Sequence, residues 1–225
     1  MALENILAKF GGSSVATPKR MLDCVDIATG KFDGTSRKCI VVSAQGKTHD
    51  TDKGITDLLI ALGKYKLGDK DGADTFNEIV ARFTELIKNL EVDERVVSED
   101  YVRAKLTERL SNRTANTDQY KDQLHALGEE IQAQIFAELI RKRGEKATVF
   151  LPDHIDFHVT ETFGDARVLP ESYGKIAKAI DGVEGFLVFP GYYGVSKQGN
   201  IVTFQRGGSD TVGSIIANAA NVRLY

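Results

Sequence analysis

Lys9 stands at the end of an apolar run, Ile6-Leu7-Ala8-Lys9-Phe10, and is followed at once by Gly11-Gly12-Ser13-Ser14. An ammonium inside a buried strand is costly unless it meets an anion. Small residues behind it let backbone N–H groups approach that anion, and a following helix adds its positive end. Taken alone, Lys9 reads better as a lysine snorkelling from an edge strand; the Gly11-Gly12-Ser13-Ser14 turn directly behind it tips the reading to an anion site. Far along the chain, Arg206-Gly207-Gly208-Ser209-Asp210 forms a second constellation. Arg206 offers a bidentate fork and Ser209 a hydroxyl, suited to a carboxylate or phosphate. The same residues could equally be a capped helix start, with Asp210 favouring the dipole.

Other polar clusters lead nowhere comparable. Gly46-Lys47-Thr48 imitates the tail of a Walker A loop, but Val41 stands where its first glycine belongs. His154 and His158 are four apart beside Asp153 and Asp156. They lack a third ligand and a helical setting, so no metal site is expected. His49-Asp50-Thr51-Asp52 reads as a polar loop, and His125 as a surface or boundary residue.

The elements that must carry these residues follow from the pattern. Strands are expected over 6–10, 39–42, 148–151 and 186–189, and helices over 18–28, 173–180 and 211–219. The strands are continuous apolar runs, which suits a sheet covered on both faces. The strand–helix–strand order at the start predicts a right-handed parallel unit. Residues 55–143 read as helix after helix. Leu124, Leu127, Ile131, Ile135 and Leu139 mark one face of an amphipathic helix. Ser98 before Glu99-Asp100 reads as an N-cap, and Arg141-Lys142-Arg143-Gly144 as a solvated helix end. A hairpin is expected where 192–195 and 201–204 flank Lys197-Gln198-Gly199-Asn200. The last residues, 222–225, look like the start of a strand, which suggests a chain that continues.

The chain has 225 residues, with 29 Lys and Arg against 32 Asp and Glu, a net charge of −3. That balance argues against a nucleic-acid partner. No apolar stretch is long enough to span a membrane. The start lacks the pattern of a secretory signal. Cys24 and Cys39 show no ligand spacing, and the simplest reading is a reduced cytoplasmic protein.

With both constellations in place, the chain resembles aspartokinases of the amino-acid kinase superfamily. The resemblance rests on KFGGSSVA (9–16), VVSAQGK (41–47) with ITDLL (55–59), FGDA (163–166), and PGYYG (190–194) running into TFQRGGSDTVGS (203–214). It implies an α/β fold: a three-layer α/β/α sandwich on a mostly parallel sheet, C-terminally incomplete. One catalytic domain over 1–225 would contain a helical insert at 55–143. ACT regulatory domains, the adenine-binding segment and a second phosphate-binding lysine would lie beyond Tyr225.

The implied reaction moves the γ-phosphoryl of ATP, carried with Mg²⁺, to the side-chain carboxylate of L-aspartate. It would open the route to lysine, threonine and methionine. Lys9 would neutralise the transferring group, Asp210 would organise Lys9, and Gly11, Gly12 and Ser13 would form the phosphate-side loop. Ser43 and Thr56 would line the substrate pocket. Glu129, with Glu130 adjacent, would take the substrate ammonium, Tyr192 would pack on the substrate, and Arg206 and Ser209 would hold its carboxylate. The full-length protein would be a homo-oligomer. A fragment that binds aspartate without turnover, and another amino-acid kinase, are the alternatives. The chemistry is consistent with the residues: a carboxylate nucleophile is ionised at neutral pH and needs no general base, and phosphoryl transfer is chiefly positioning and charge stabilisation.

Overall fold

The computed structural model describes residues 3–65, 69–114 and 116–225. Four strands, β1 (Leu3–Phe10), β2 (Ser36–Val42), β3 (Ala147–Val149) and β4 (Phe186–Pro190), form one sheet. Its order is β1-β2-β4-β3 and every pairing is parallel. The terminal segment adds a parallel bridge outside β1, between Ile6 and Leu224, so the expected strand start at 222–225 is paired. The first strand begins at Leu3 rather than Ile6, with a register shift between Glu4 and Leu7.

Both faces of this sheet are covered, because side chains alternate along a strand. On β2, Ile40 and Val42 enter one core, while Cys39 and Val41 enter the other. On β4, Phe186 and Val188 divide from Leu187 and Phe189 in the same way. The first face is packed by α1 (Pro18–Ala28), α2 (Ile55–Leu62), α3 (Lys70–Asn89), α4 (Glu99–Ser111), α5 (Thr117–His125) and α6 (Leu127–Arg141). The second is packed by α7 (Pro170–Ile180), α8 (Gly208–Ala219) and an antiparallel ribbon of β5 (Tyr193–Val195) and β6 (Ile201–Thr203). The result is a three-layer α/β/α sandwich.

Local signals set the ends of several elements. Thr17 caps α1 through its side chain, with Pro18 at the first helical position. Ser98 accepts from the Tyr101 N–H at 3.1 Å and caps α4. Gly199 turns the β5–β6 ribbon at φ 84°.

Two expectations change. The run from Leu124 to Leu139 is broken at Ala126 into α5 and α6, and α6 presents no solvent-facing side. Nearly all of α6 is buried, because the helix lies between the sheet and the outer helices, so its polar face has no solvent to meet. Residues 141–143 do end α6 at the surface, with Lys142 and Arg143 exposed, but their side chains are engaged rather than free. Arg141 donates to the Ala147 carbonyl at 2.9 and 3.0 Å, Lys142 to the Leu90 carbonyl at 2.9 Å, and Arg143 pairs with Asp26. These cations stitch α6 to its neighbours. Within 55–143, residues 66–68 and 115 lie outside the described residues.

Candidate active site

The carboxyl ends of β1, β2 and β4 converge, which is where open parallel sheets bind ligands. Ser43 N–H donates to the Phe10 carbonyl at 3.0 Å, and Gly191 N–H to the Val42 carbonyl at 2.8 Å, so the three exits stay in register past the strands. Above them lies a cleft of about 730 Å³.

Lys9, Gly12, Ser43, Thr56, Glu129, Tyr192, Arg206, Ser209 and Asp210 all line this cleft. Gly11 lies beneath Lys9, at a contact distance of 3.5 Å for a side chain placed there. Ser13 stands apart: it is exposed, does not line the cleft, and its carbonyl accepts from Arg20. Gln45, Lys47 and Asp57 line the cleft without having been singled out for it. Gln45 and Lys47 belong to the VVSAQGK run, the one signal that could have flagged them.

Lys9 pairs with Asp210 at 2.9 Å, joining the end of β1 to the first turn of α8. Ser14 and Val15 N–H groups both turn back to the Gly11 carbonyl. Among the described residues, the N–H groups of Gly12 and Ser13 have no such partner. Gly46 N–H donates to the Gly12 carbonyl at 2.9 Å, which joins the two loops of the cleft floor. Arg82 on α3 clamps the segment after Gly46. It pairs with Asp52 at 3.0 Å and donates to the Gly46 carbonyl at 3.0 Å and to the Lys53 carbonyl.

Glu129 and Glu130 separate cleanly. Glu130 is paired with Arg109 at 2.8 Å, away from the cleft. Glu129 lines the cleft, and its buried Oε2 has no hydrogen-bond partner. Burial pushes its pKa up to about 8, against the lowering effect of the Ala44 N–H and its own N–H. Gly128 makes this placement possible. A methyl there would lie 2.7 Å from the Ala44 Cβ, so only glycine lets α6 sit this close to the strand exit.

On the opposite wall, Tyr192 sits at φ 74° and Gly207 at φ 85°. Gly208 leaves room for the Tyr192 ring, since a Cβ would lie 2.8 Å from its Cδ2. Ser209 is buried, whereas Arg206 is exposed at the rim and makes no ion pair among the described residues.

A carboxyl, a lysine–aspartate pair and an unpaired arginine around glycine loops can hold a zwitterion beside a phosphate. Residues 5–225 match the amino acid kinase family. The chain belongs to that family. Among relatives of this amino acid kinase domain is aspartokinase 3 of Bacillus subtilis. It is 35% identical over 219 residues, covering 97% of this chain and 47% of the relative. The aspartate kinase structure from Clostridium acetobutylicum superposes with a TM-score of 0.77 at 30% identity, covering 98% of this chain and 46% of that one. Aspartokinase III of Escherichia coli, solved with aspartate and ADP, shares the fold at TM-score 0.77 and 24% identity, over 97% of this chain and 48% of its own. The chain thus spans about half the length of these relatives. Among the described residues no helix is long and apolar enough to cross a membrane, and no group of three or more His, Cys, Asp or Glu could hold a metal ion.

Proposed function

We propose that this protein phosphorylates the side-chain carboxylate of L-aspartate from MgATP, giving aspartyl phosphate, an early step toward lysine, threonine and methionine. The observation that carries the reading is Glu129. It is a buried carboxyl with one unpaired oxygen in a cleft that also holds a lysine and an arginine. A neutral ligand gives no reason to hold a carboxyl in that state, whereas a substrate ammonium would ionise and pair with it.

In this reading Glu129 takes the α-ammonium of aspartate. Arg206 takes its α-carboxylate from the rim, and the Ser209 hydroxyl adds a hydrogen bond. Tyr192 forms the wall against the carbon chain, while Ser43 and Thr56 close the other side. The side-chain carboxylate then points at Lys9. Lys9 neutralises charge on the phosphoryl group as it moves, and Asp210 holds the ammonium in place. The free N–H group of Gly12 suits a phosphate oxygen. No proton need leave the nucleophile, because it is already an anion at neutral pH.

The relatives named aspartokinase support the aspartate assignment, as does the E. coli structure with aspartate and ADP. The test is hydroxylamine trapping. Incubation with MgATP and L-aspartate should give the acyl hydroxamate, and with L-glutamate should give none. Aspartate binding without any hydroxamate would reduce the assignment to a binding domain.

A further inference from the structure

The segment from Gly46 to Gly54 joins the exit of β2 to α2, and its backbone is closely bonded. Asp52 gathers it. Oδ2 accepts from the Thr48 N–H at 2.9 Å and from the Thr48 hydroxyl at 2.7 Å, and Oδ1 accepts from the Lys53 N–H at 2.8 Å. Arg82 on α3 pairs with Asp52 at 3.0 Å, the two side chains being 11% and 15% exposed, and donates to the carbonyls of Gly46 and Lys53. A largely buried carboxylate held by an arginine and three further donors fixes the segment far more firmly than a surface pair would.

One end of this segment rests on the Gly11–Ser13 loop. Gly46 N–H donates to the Gly12 carbonyl at 2.9 Å. A Cβ on Gly46 would lie 2.6 Å from the Gly12 carbonyl carbon and 2.8 Å from the Ser13 nitrogen, so only glycine permits the approach. Lys47 is the next residue, and its stem therefore starts beside that contact. Of the two lysines in the segment, Lys47 lines the cleft together with Lys9 and Gly12, and Lys53 does not.

Lys47 is exposed and has no hydrogen bond or ion pair among the described residues. The carboxyl groups that share its cleft are engaged elsewhere. Asp210 pairs with Lys9 at 2.9 Å, Asp57 accepts from the Gly54 N–H at 3.2 Å, and burial favours the neutral form of Glu129. The run Gly46-Lys47-Thr48 is still no P-loop, because the Thr48 hydroxyl that would meet a metal ion in one is spent on Asp52. What remains is an ammonium on a flexible four-carbon stem, carried by a fixed backbone, and lysine meets phosphate as such a point charge. Arg206 serves the opposite wall, so the phosphate chain is the anion on this side.

We propose that Lys47 is a further phosphate-binding residue of this cleft: it contacts the polyphosphate of the nucleotide from the Gly46–Gly54 segment and leaves Lys9 to the group in transfer. The claim rests on the phosphoryl-transfer reading and does not depend on aspartate being the acceptor.

The experiment titrates the full chain by calorimetry with MgATP, with magnesium tripolyphosphate and with L-aspartate, in the wild type, Lys47→Ala and Lys47→Arg. The side chain is exposed and unpaired, so both variants should melt as the wild type does. Lys47→Ala should weaken MgATP and magnesium tripolyphosphate about tenfold each, the worth of one charge-assisted hydrogen bond, and leave aspartate affinity unchanged. Lys47→Arg should restore most of the loss, because the charge is kept. The difference should shrink as salt is raised, since exposed charge is screened. Equal polyphosphate affinity in the wild type and Lys47→Ala overturns the proposal, as does a loss confined to aspartate or one that tripolyphosphate does not share. A chain that binds MgATP through Lys47 but gives no hydroxamate from aspartate would refute the acceptor and leave Lys47 in place, whereas a wild-type chain that binds neither polyphosphate would refute both.

Discussion

Lys9 and Asp210 illustrate how little a single residue type decides. A lysine at a strand end has an innocent reading, and the ion pair at 2.9 Å could be only structural. What supports the proposed role of Lys9 is that its ammonium lies next to Gly11 in the same cleft as an arginine and a glutamate oxygen that have no partner among the described residues. Lys9→Ala should therefore lower kcat by about 10²–10³-fold or more, the scale of losing one charge-stabilising donor. The KM for aspartate should change little. Initial rates across an aspartate series check this, and an effect confined to KM would assign Lys9 to substrate binding instead.

Glu129 carries a pH signature as well. Its folded pKa, about 8, stands above its usual 4.5. Between those values the folded chain binds a proton that the unfolded chain has released, so stability from this site falls as pH rises through the window. Glu129→Gln should thus raise the melting temperature near about pH 9 and leave it nearly unchanged near about pH 4. A difference of equal size at both ends would show that the carboxyl is not held neutral by burial.

At the scale of elements, the site depends on how closely helices approach the strand exits. Gly128 sits inside α6, where alanine would normally gain about 1 kcal/mol. Here a methyl would lie 2.7 Å from Ala44 Cβ, and overpacking costs about 1–3 kcal/mol. The steric term wins, and it displaces the residue beside Glu129. Gly128→Ala should lower stability in urea and weaken aspartate binding together. A more stable variant with unchanged affinity would mean that α6 can retreat without moving the carboxyl.

Such packing was only partly legible beforehand. Apolar runs and the cap at Ser98 are local signals, and they placed many elements to within a few residues. The break at Ala126 and the full burial of α6 were not, because periodicity cannot show that a helix has layers on both sides. The clamp made by Arg82 was invisible for a similar reason: a charge that bridges segments tens of residues apart leaves no mark in either one. The Glu129–Glu130 ambiguity needed coordinates too, since it is resolved by the Arg109 pairing of Glu130 and by the place of Glu129 in the cleft lining.

For the molecule as a whole, the sandwich divides the work. The sheet supplies fixed exits, the second face carries Tyr192, Arg206, Ser209 and Asp210, and the layer from α2 to α6 supplies Thr56 and Glu129. An acyl phosphate is labile in water, so excluding solvent from the cleft would protect it. The segment between Gly46 and Gly54, clamped by Arg82, borders the cleft at both of its ends. Adding aspartate and nucleotide together should slow amide exchange there and in α2. Exchange unchanged by both ligands would leave the layer as a fixed wall.

The most direct test is calorimetric titration with L-aspartate at neutral pH, in buffers of low and high ionisation enthalpy. The incoming ammonium must convert a neutral Glu129 to a carboxylate. Binding should release close to one proton in the wild-type chain and none in Glu129→Gln, which should also bind more weakly. A binding enthalpy independent of buffer, or the same proton release in both proteins, would contradict the assignment of this carboxyl to the substrate amine.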